Sequence, residues 1–78
     1  PRGIGQLVDD PYRSLAGIVR RDNGYEKAHQ PFEDFAWANY LRARVPDSLL
    51  RDDFMQAVEL AKRLVRSPDA RHLPGWIG

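Results

Sequence analysis

Residues 31–44 read PFEDFAWANYLRAR, and four of the chain's eight aromatic side chains, Phe32, Phe35, Trp37 and Tyr40, fall within nine of these positions. With a helical period of 3.6 residues, Phe35, Asn39, Phe32, Ala36 and Tyr40 share one broad arc, and Trp37 and Leu41 lie on a second. A segment apolar on two flanks needs neighbours on both. Residues 31–44 therefore read as the central helix of a small helical assembly.

The 78 residues leave room for one domain, residues 1–78, whose core is close to the limit of independent stability; help from outside the chain is expected. There is no cysteine, which excludes disulfides and thiolate zinc sites and makes a reducing cytoplasm the expected setting. No apolar run approaches the roughly 20 residues of a membrane-spanning helix, so no membrane partner is expected. With Pro1 to Gly5 forming a Gly-containing connector and no initiator Met, the expectation is a piece cut from a longer protein. A net charge of +1, from twelve basic and eleven acidic side chains, gives no global attraction to polyanions.

Outward from the aromatic segment, the punctuation is helical throughout. Asp10-Pro11 opens a helix, with Asp10 placed to accept from free backbone N–H groups and Pro11 preset in φ. Tyr12, Leu15, Ala16 and Val19 form its inward stripe with Ile18 at the edge, while Arg13 and Arg20 are expected to face away. Asn23-Gly24 ends it, and Tyr25 to Gln30 form a polar loop. Val45-Pro46 stops the aromatic helix, and Asp47 to Arg51 has the length of one short turn. From Asp52 to Arg66, Phe54, Ala57, Val58, Leu60, Ala61, Leu64 and Val65 occupy one arc and Gln56, Glu59, Lys62, Arg63 and Arg66 the other, with Met55 out of place among the polar residues. Ser67-Pro68-Asp69 caps a last turn through His72, and Leu73-Pro74-Gly75 throws Trp76 and Ile77 back toward the body. The expected fold is all-α, three main helices plus short helical turns, with Phe32, Phe35, Tyr40, Leu15, Val58 and Leu64 in one core. On this reading Phe35→Ala should cost about 3 to 5 kcal/mol.

Candidate chemistry is sparse. The acidic pairs Asp9-Asp10, Glu33-Asp34 and Asp52-Asp53 each fall at an expected helix start, where a carboxylate is favoured by the helix dipole and by unpaired N–H groups. Arg20-Arg21, Arg42 with Arg44, and Lys62, Arg63 and Arg66 fall in last turns, where cations are favoured. Arg13 is the exception, one turn from an N-terminus; its bland explanation is a salt bridge to Asp9 or Asp10. His29 and His72 have no His or Cys partner at ligand spacing, so no metal or other cofactor is expected. Tyr25 and Lys27 could set a phenol and an ammonium on one side of the loop, and with Arg13 they form a candidate anion-binding corner.

Asp9-Asp10-Pro11-Tyr12-Arg13-Ser14-Leu15-Ala16-Gly17, Gly24-Tyr25 with Lys27, Pro31-Phe32 with Phe35 and Trp37-Ala38, Ser67-Pro68 with Ala70, and Leu73-Pro74-Gly75-Trp76 follow one another in a pattern that resembles the C-terminal helical part of the ParB-like nuclease family. The resemblance runs from Asp9 to Gly78. It implies a bacterial, cytoplasmic helical segment that packs on, or covers, a preceding ParB/sulfiredoxin-type α/β domain. The family's His-rich phosphate-binding and catalytic segment belongs to that domain and has no counterpart in this chain.

Three readings follow. The leading one is a non-catalytic accessory domain completing a ParB-like protein, with Arg13, Tyr25 and Lys27 lending themselves to a phosphate site and nucleic acid met through the parent protein. The second is a helix-turn-helix module using the 47–51 turn and the 52–66 helix, although a recognition helix beginning Asp52-Asp53 would repel phosphates. The third is a protein-interaction or dimerisation domain anchored by Met55 and Trp76. For the isolated chain, DNA binding is expected to be weak and without sequence preference.

Overall fold

The computed structural model describes residues 10–24 and 31–76, without the side chains of 31–34. Four α-helices follow in order: α1 (Pro11–Asp22), α2 (Pro31–Arg42), α3 (Asp47–Asp52) and α4 (Phe54–Arg66), then a 3-10 turn (Pro68–Ala70). No strand occurs among the described residues, so the fold is all-α as expected.

The caps of α1 follow the sequence reading, whereas α2 ends at Arg42, two residues short of the expected 44. Asp10 Oδ1 accepts from the Tyr12 N–H at 2.9 Å and Pro11 occupies the first helical position. At the other end of α1, Asn23 and Gly24 donate their N–H groups back to the Arg20 and Arg21 carbonyls, and Gly24 takes φ +85°, a region cheap for glycine alone. The last main helix starts two residues later than expected, because Asp52 completes the short α3 and Asp53 caps α4 by accepting from the Gln56 N–H. Ser67 Oγ accepts from the Asp69 N–H at the 3-10 turn.

α1 packs against both α2 and α4, while α3 and the 3-10 turn lie against α4. The core holds Tyr12, Leu15, Ala16 and Val19 from α1, Trp37, Ala38, Tyr40 and Leu41 from α2, Val45 and Leu50 beyond it, and Ala57, Val58, Ala61 and Val65 from α4. Leu64 packs against this cluster only partly buried. The second flank of α2 meets the C-terminal segment: the Trp37 indole N–H donates to the Pro74 carbonyl at 2.8 Å, and the Tyr40 hydroxyl to the Leu64 carbonyl at 3.1 Å.

Two expectations fail. Phe35 is 53% exposed and does not belong to the core. Trp37 and Leu41 turn inward together with Tyr40 from the edge of the other arc, whereas Phe35 and Asn39 point out, a choice that helical periodicity cannot make when both arcs are apolar. Phe32 carries no described side chain, so its place in the expected core lies outside the described residues. Arg20, expected to face away, is 1% exposed; its guanidinium carbon lies 4.9 Å from the centroid of the Trp37 ring, an arrangement in which the ring's quadrupole attracts the cation.

The stability test moves accordingly from Phe35 to Trp37. Trp37→Ala should cost about 3 to 5 kcal/mol. Phe35→Ala in the 78-residue chain should stay within about 0.5 kcal/mol, as surface substitutions do. Thermal melts of the two variants separate these outcomes, since 1 kcal/mol moves the midpoint of so small a domain by about 4 to 8 °C. A larger loss at Phe35 than at Trp37 would reverse the orientation of α2.

Candidate functional site

The junction of α1, α2 and α3 is the most elaborately wired part of the surface. α1 and α2 run side by side so that Arg42, in the last turn of α2, reaches the N-terminus of α1. Its Nη2 lies 3.1 Å from Asp10 Oδ2 and its Nη1 3.5 Å from Oδ1, a two-pronged pair. The same guanidinium sits with its carbon 5.1 Å from the centroid of the Tyr12 ring. The Tyr12 hydroxyl, buried below it, faces the Val45 carbonyl and Asp47 Oδ1, the latter at 2.7 Å. Its single proton thus serves two acceptors, fastening α1 to the segment where α2 gives way to α3. Around these groups lies a surface cleft of about 460 Å³ lined by Pro11, Tyr12, Arg42, Asp47, Leu50 and Arg51.

The electrostatics follow from the geometry. Burial pushes the Tyr12 phenol up, and the hydrogen bond and negative charge of Asp47 push the same way, to about 12. For Asp10, burial pulls upward but is outweighed by the Arg42 hydrogen bond, the Tyr12 N–H and the Arg42 charge, and its carboxyl ends below its ordinary value.

A second surface hollow, of about 280 Å³, is lined by Glu59, Lys62, Arg63 and Arg66. Lys62 lies 3.4 Å from Asp22 Oδ2 and 3.5 Å from Glu59 Oε2, and Arg66 Nη2 donates to Asn23 Oδ1 at 2.6 Å. These contacts tie the C-terminal ends of α1 and α4 together. The expected dipole role of last-turn cations is therefore joined by specific partners on the neighbouring helix.

The residues singled out from sequence are unevenly placed. Tyr25 and Lys27 lie outside the described residues, so the corner they would form with Arg13 is not seen. Arg13 is half-buried on α1. Of its two expected partners, Asp10 is engaged by Arg42 and Asp9 lies outside the described residues; among the described residues Arg13 makes no ion pair. Asp10 and Asp53 act as caps, as the dipole argument requires, whereas Asp52 sits at the end of α3, 3.6 Å from Arg51 Nε. His72 is exposed, with Nδ1 3.1 Å from the Asp69 carbonyl. Among the described residues no three His, Asp or Glu side chains converge on one point, and no helix is long and apolar enough to cross a membrane. The cleft was missed by the sequence reading because Asp10 and Arg42 are 32 positions apart and neither departs from its local dipole preference.

Alkaline titration tests the Tyr12 lock. The folded phenol titrates near 12, above its ordinary 10. The protonated form's contribution to stability is therefore intact below pH 10 and lost as the pH climbs from 10 to about 12. Tyr12→Phe should flatten that part of the stability profile and cost about 1 to 3 kcal/mol at neutral pH by stripping the donor from the buried Val45 carbonyl. An unchanged alkaline limb in Tyr12→Phe would place the transition on another group. At the acid end the direction reverses, since the lowered Asp10 contributes above its ordinary 3.8 and is lost as pH falls below it.

Among known proteins, a family model described as "Putative ParB-like nuclease" matches residues 1–43, more than half of the chain; the Leu73-Pro74-Gly75-Trp76 segment lies beyond that match. The crystal structure of protein Atu1540 from Agrobacterium tumefaciens is similar at 51% sequence identity and a TM-score of 0.78, over 87% of this chain and 35% of that one. The chain thus spans about a third of the length of the solved protein it matches. No curated protein matches it. With more than half of its residues under the family model, and the helical frame around them described, the chain belongs to the ParB-like nuclease family.

Proposed function

We propose that this chain is a non-catalytic helical accessory domain that packs on a ParB/sulfiredoxin-type α/β domain of the same protein, in a bacterial cytoplasm. The observation that carries the reading is the second apolar face of α2. Trp37, Ala38, Tyr40 and Leu41 are buried and Ala36 packs against the core, yet Phe35 stands 53% exposed on the other side of the helix. A helix apolar on both faces is ordinarily covered on both. The α/β domain that the family resemblance implies is the natural cover, and the similarity to about a third of a longer protein agrees with such an arrangement.

In the same proposal Arg13, Tyr25 and Lys27 supply a guanidinium fork, a phenol and an ammonium to a phosphate or other anion at the junction with that domain. The engagement of Asp10 by Arg42 supports it, because it removes the described carboxylate that would have explained Arg13. The geometric demand is severe. Arg13 and Gly24 are eleven residues apart along α1 and its cap, roughly 16 Å at helical rise, so the loop would have to return along the helix.

The helix-turn-helix alternative is disfavoured by one spacing. Asp53 alone separates α3 from α4, where that motif uses a turn of three or four residues. Of the two anchors of the interaction-domain alternative, Met55 is exposed at 70% next to Phe54 at 37%, whereas Trp76 is partly buried against the core and is no exposed anchor.

The experiment compares one substitution in two contexts. Phe35→Ser should leave the 78-residue chain's midpoint nearly unchanged but lower that of a longer protein with an α/β domain ahead of it, where a buried aromatic is worth about 3 to 5 kcal/mol. Equal effects in both contexts would remove the docking role. Phosphate titration followed by amide shifts addresses the anion corner: joint movement of Arg13, Tyr25 and Lys27 is expected, and movement confined to Lys62, Arg63 and Arg66 would relocate the site to α4.

A further inference from the structure

The cleft between α1, α2 and α3 combines three kinds of recognition group, and no part of the accessory role requires it. Its floor is apolar, made by Pro11, the buried ring of Tyr12 and the buried Leu50. Two guanidiniums, Arg42 and Arg51, and one carboxylate, Asp47, line it. The lining charge is +2 and −1, which does not suit a polyanion and leaves no reason for a bare cation.

Much of the cleft is organised in advance. The Tyr12 hydroxyl is fastened to Val45 and Asp47, and Arg42 is held by Asp10 through two contacts. Sites fixed before binding lose less entropy when they are filled. Arg51 is the adaptable member: its side chain is 69% exposed, and its ion pair is a long one, 3.6 Å to Asp52. Asp47 and Arg51 stand one helical turn apart on α3, where Cβ atoms are about 5 to 6 Å from each other. They make no ion pair with each other, so a carboxylate and a guanidinium flank an open gap on one face.

A ligand that satisfies all of these groups at once carries an ammonium for Asp47, a carboxylate for Arg51 and Arg42, and an apolar body for the Tyr12 and Leu50 floor. We infer that the cleft binds a free α-amino acid with an apolar side chain, its ammonium on Asp47 and its carboxylate on Arg51. The two charges of an α-amino acid flank one carbon atom, which matches acid and base spaced by a single turn. A volume of about 460 Å³ also lies within the range of small-ligand sites. The spare oxygen of Asp47 takes the ammonium, since its Oδ1 is already occupied by the Tyr12 hydroxyl.

The test is a titration of the isotopically labelled 78-residue chain with L-phenylalanine, hydrocinnamate, phenethylamine and L-alanine, followed by amide shifts. L-Phenylalanine should move the amides of Tyr12, Leu50 and Arg51. Hydrocinnamate, which lacks the ammonium, phenethylamine, which lacks the carboxylate, and alanine, which lacks the apolar body, should each bind at least about tenfold more weakly, because a partner group is left unpaired or the floor uncovered. Arg51→Ala should weaken L-phenylalanine about tenfold or more without altering the thermal midpoint, since the side chain is exposed. Hydrocinnamate binding as well as phenylalanine, an Arg51→Ala chain binding unchanged, shifts clustered away from α3, or no shift up to about 10 mM, weaker than −3 kcal/mol, would each overturn the assignment.

Discussion

The burial of Trp37 is the constraint on which the rest of this fold depends. Its ring is fully inside, its indole N–H is satisfied by the Pro74 carbonyl, and the Arg20 guanidinium of α1 lies near its face. One side chain thereby joins the second helix to the first and to the turn that ends the described chain. A buried indole donor needs an acceptor, and the one available comes from a segment 37 positions later. The tight Leu73-Pro74-Gly75 turn, with Gly75 at φ 64°, is what brings that carbonyl into reach. Burial of Arg20 follows from the same contact, because the aliphatic stem of an arginine adds to an apolar core while its planar head can lie by a ring.

A second fastening, at the other end of α1, sets the position of α3. Tyr12 and Asp10 are two residues apart, and each reaches across to a different partner: Tyr12 to Val45 and Asp47, Asp10 to Arg42. Asp10 also caps α1, so one carboxylate both starts the helix and anchors its neighbour. The Arg42 pair is partly exposed and contributes little by itself. The phenol is different, because Tyr12 is buried and one of its two acceptors, the Val45 carbonyl, is buried with it. Of the two, the tyrosine fixes the geometry of the cleft and the ion pair trims it.

What the sequence made legible divides along the range of the interactions involved. Caps, stops and the stripe of α1 depend on residues within four positions of each other, and Asp10, Pro11, Gly24, Pro46 and Ser67 all play the roles their local chemistry requires. The arc of α2 that turns inward does not have that property. Phe35 and Trp37 are both large aromatics two positions apart, and the contacts that favour Trp37 inside come from Pro74 and Arg20, far from it in sequence. Arg20 was misplaced for a related reason: a last-turn arginine satisfies the dipole rule whether it is exposed or buried beside an aromatic ring. The cleft joins residues 11 and 51, and no local pattern marks such a meeting.

The same contrast gives the outward face of α2 its meaning. On α4 Glu59, Lys62 and Arg66 of the polar arc engage their neighbours through charged and amide groups, so the helix is complete with water on that side. On α2 the outward apolar side chain is Phe35, which gains nothing from water and stands 53% exposed outside the core. Burial of an aromatic ring at about 25 cal/mol per Å² is a substantial fraction of the stability of a domain this size, so leaving one outside is costly unless another surface receives it. The fold thus balances its inner face around Trp37 and leaves one aromatic, Phe35, outside it, which is the feature that the proposed docking on a further domain would use.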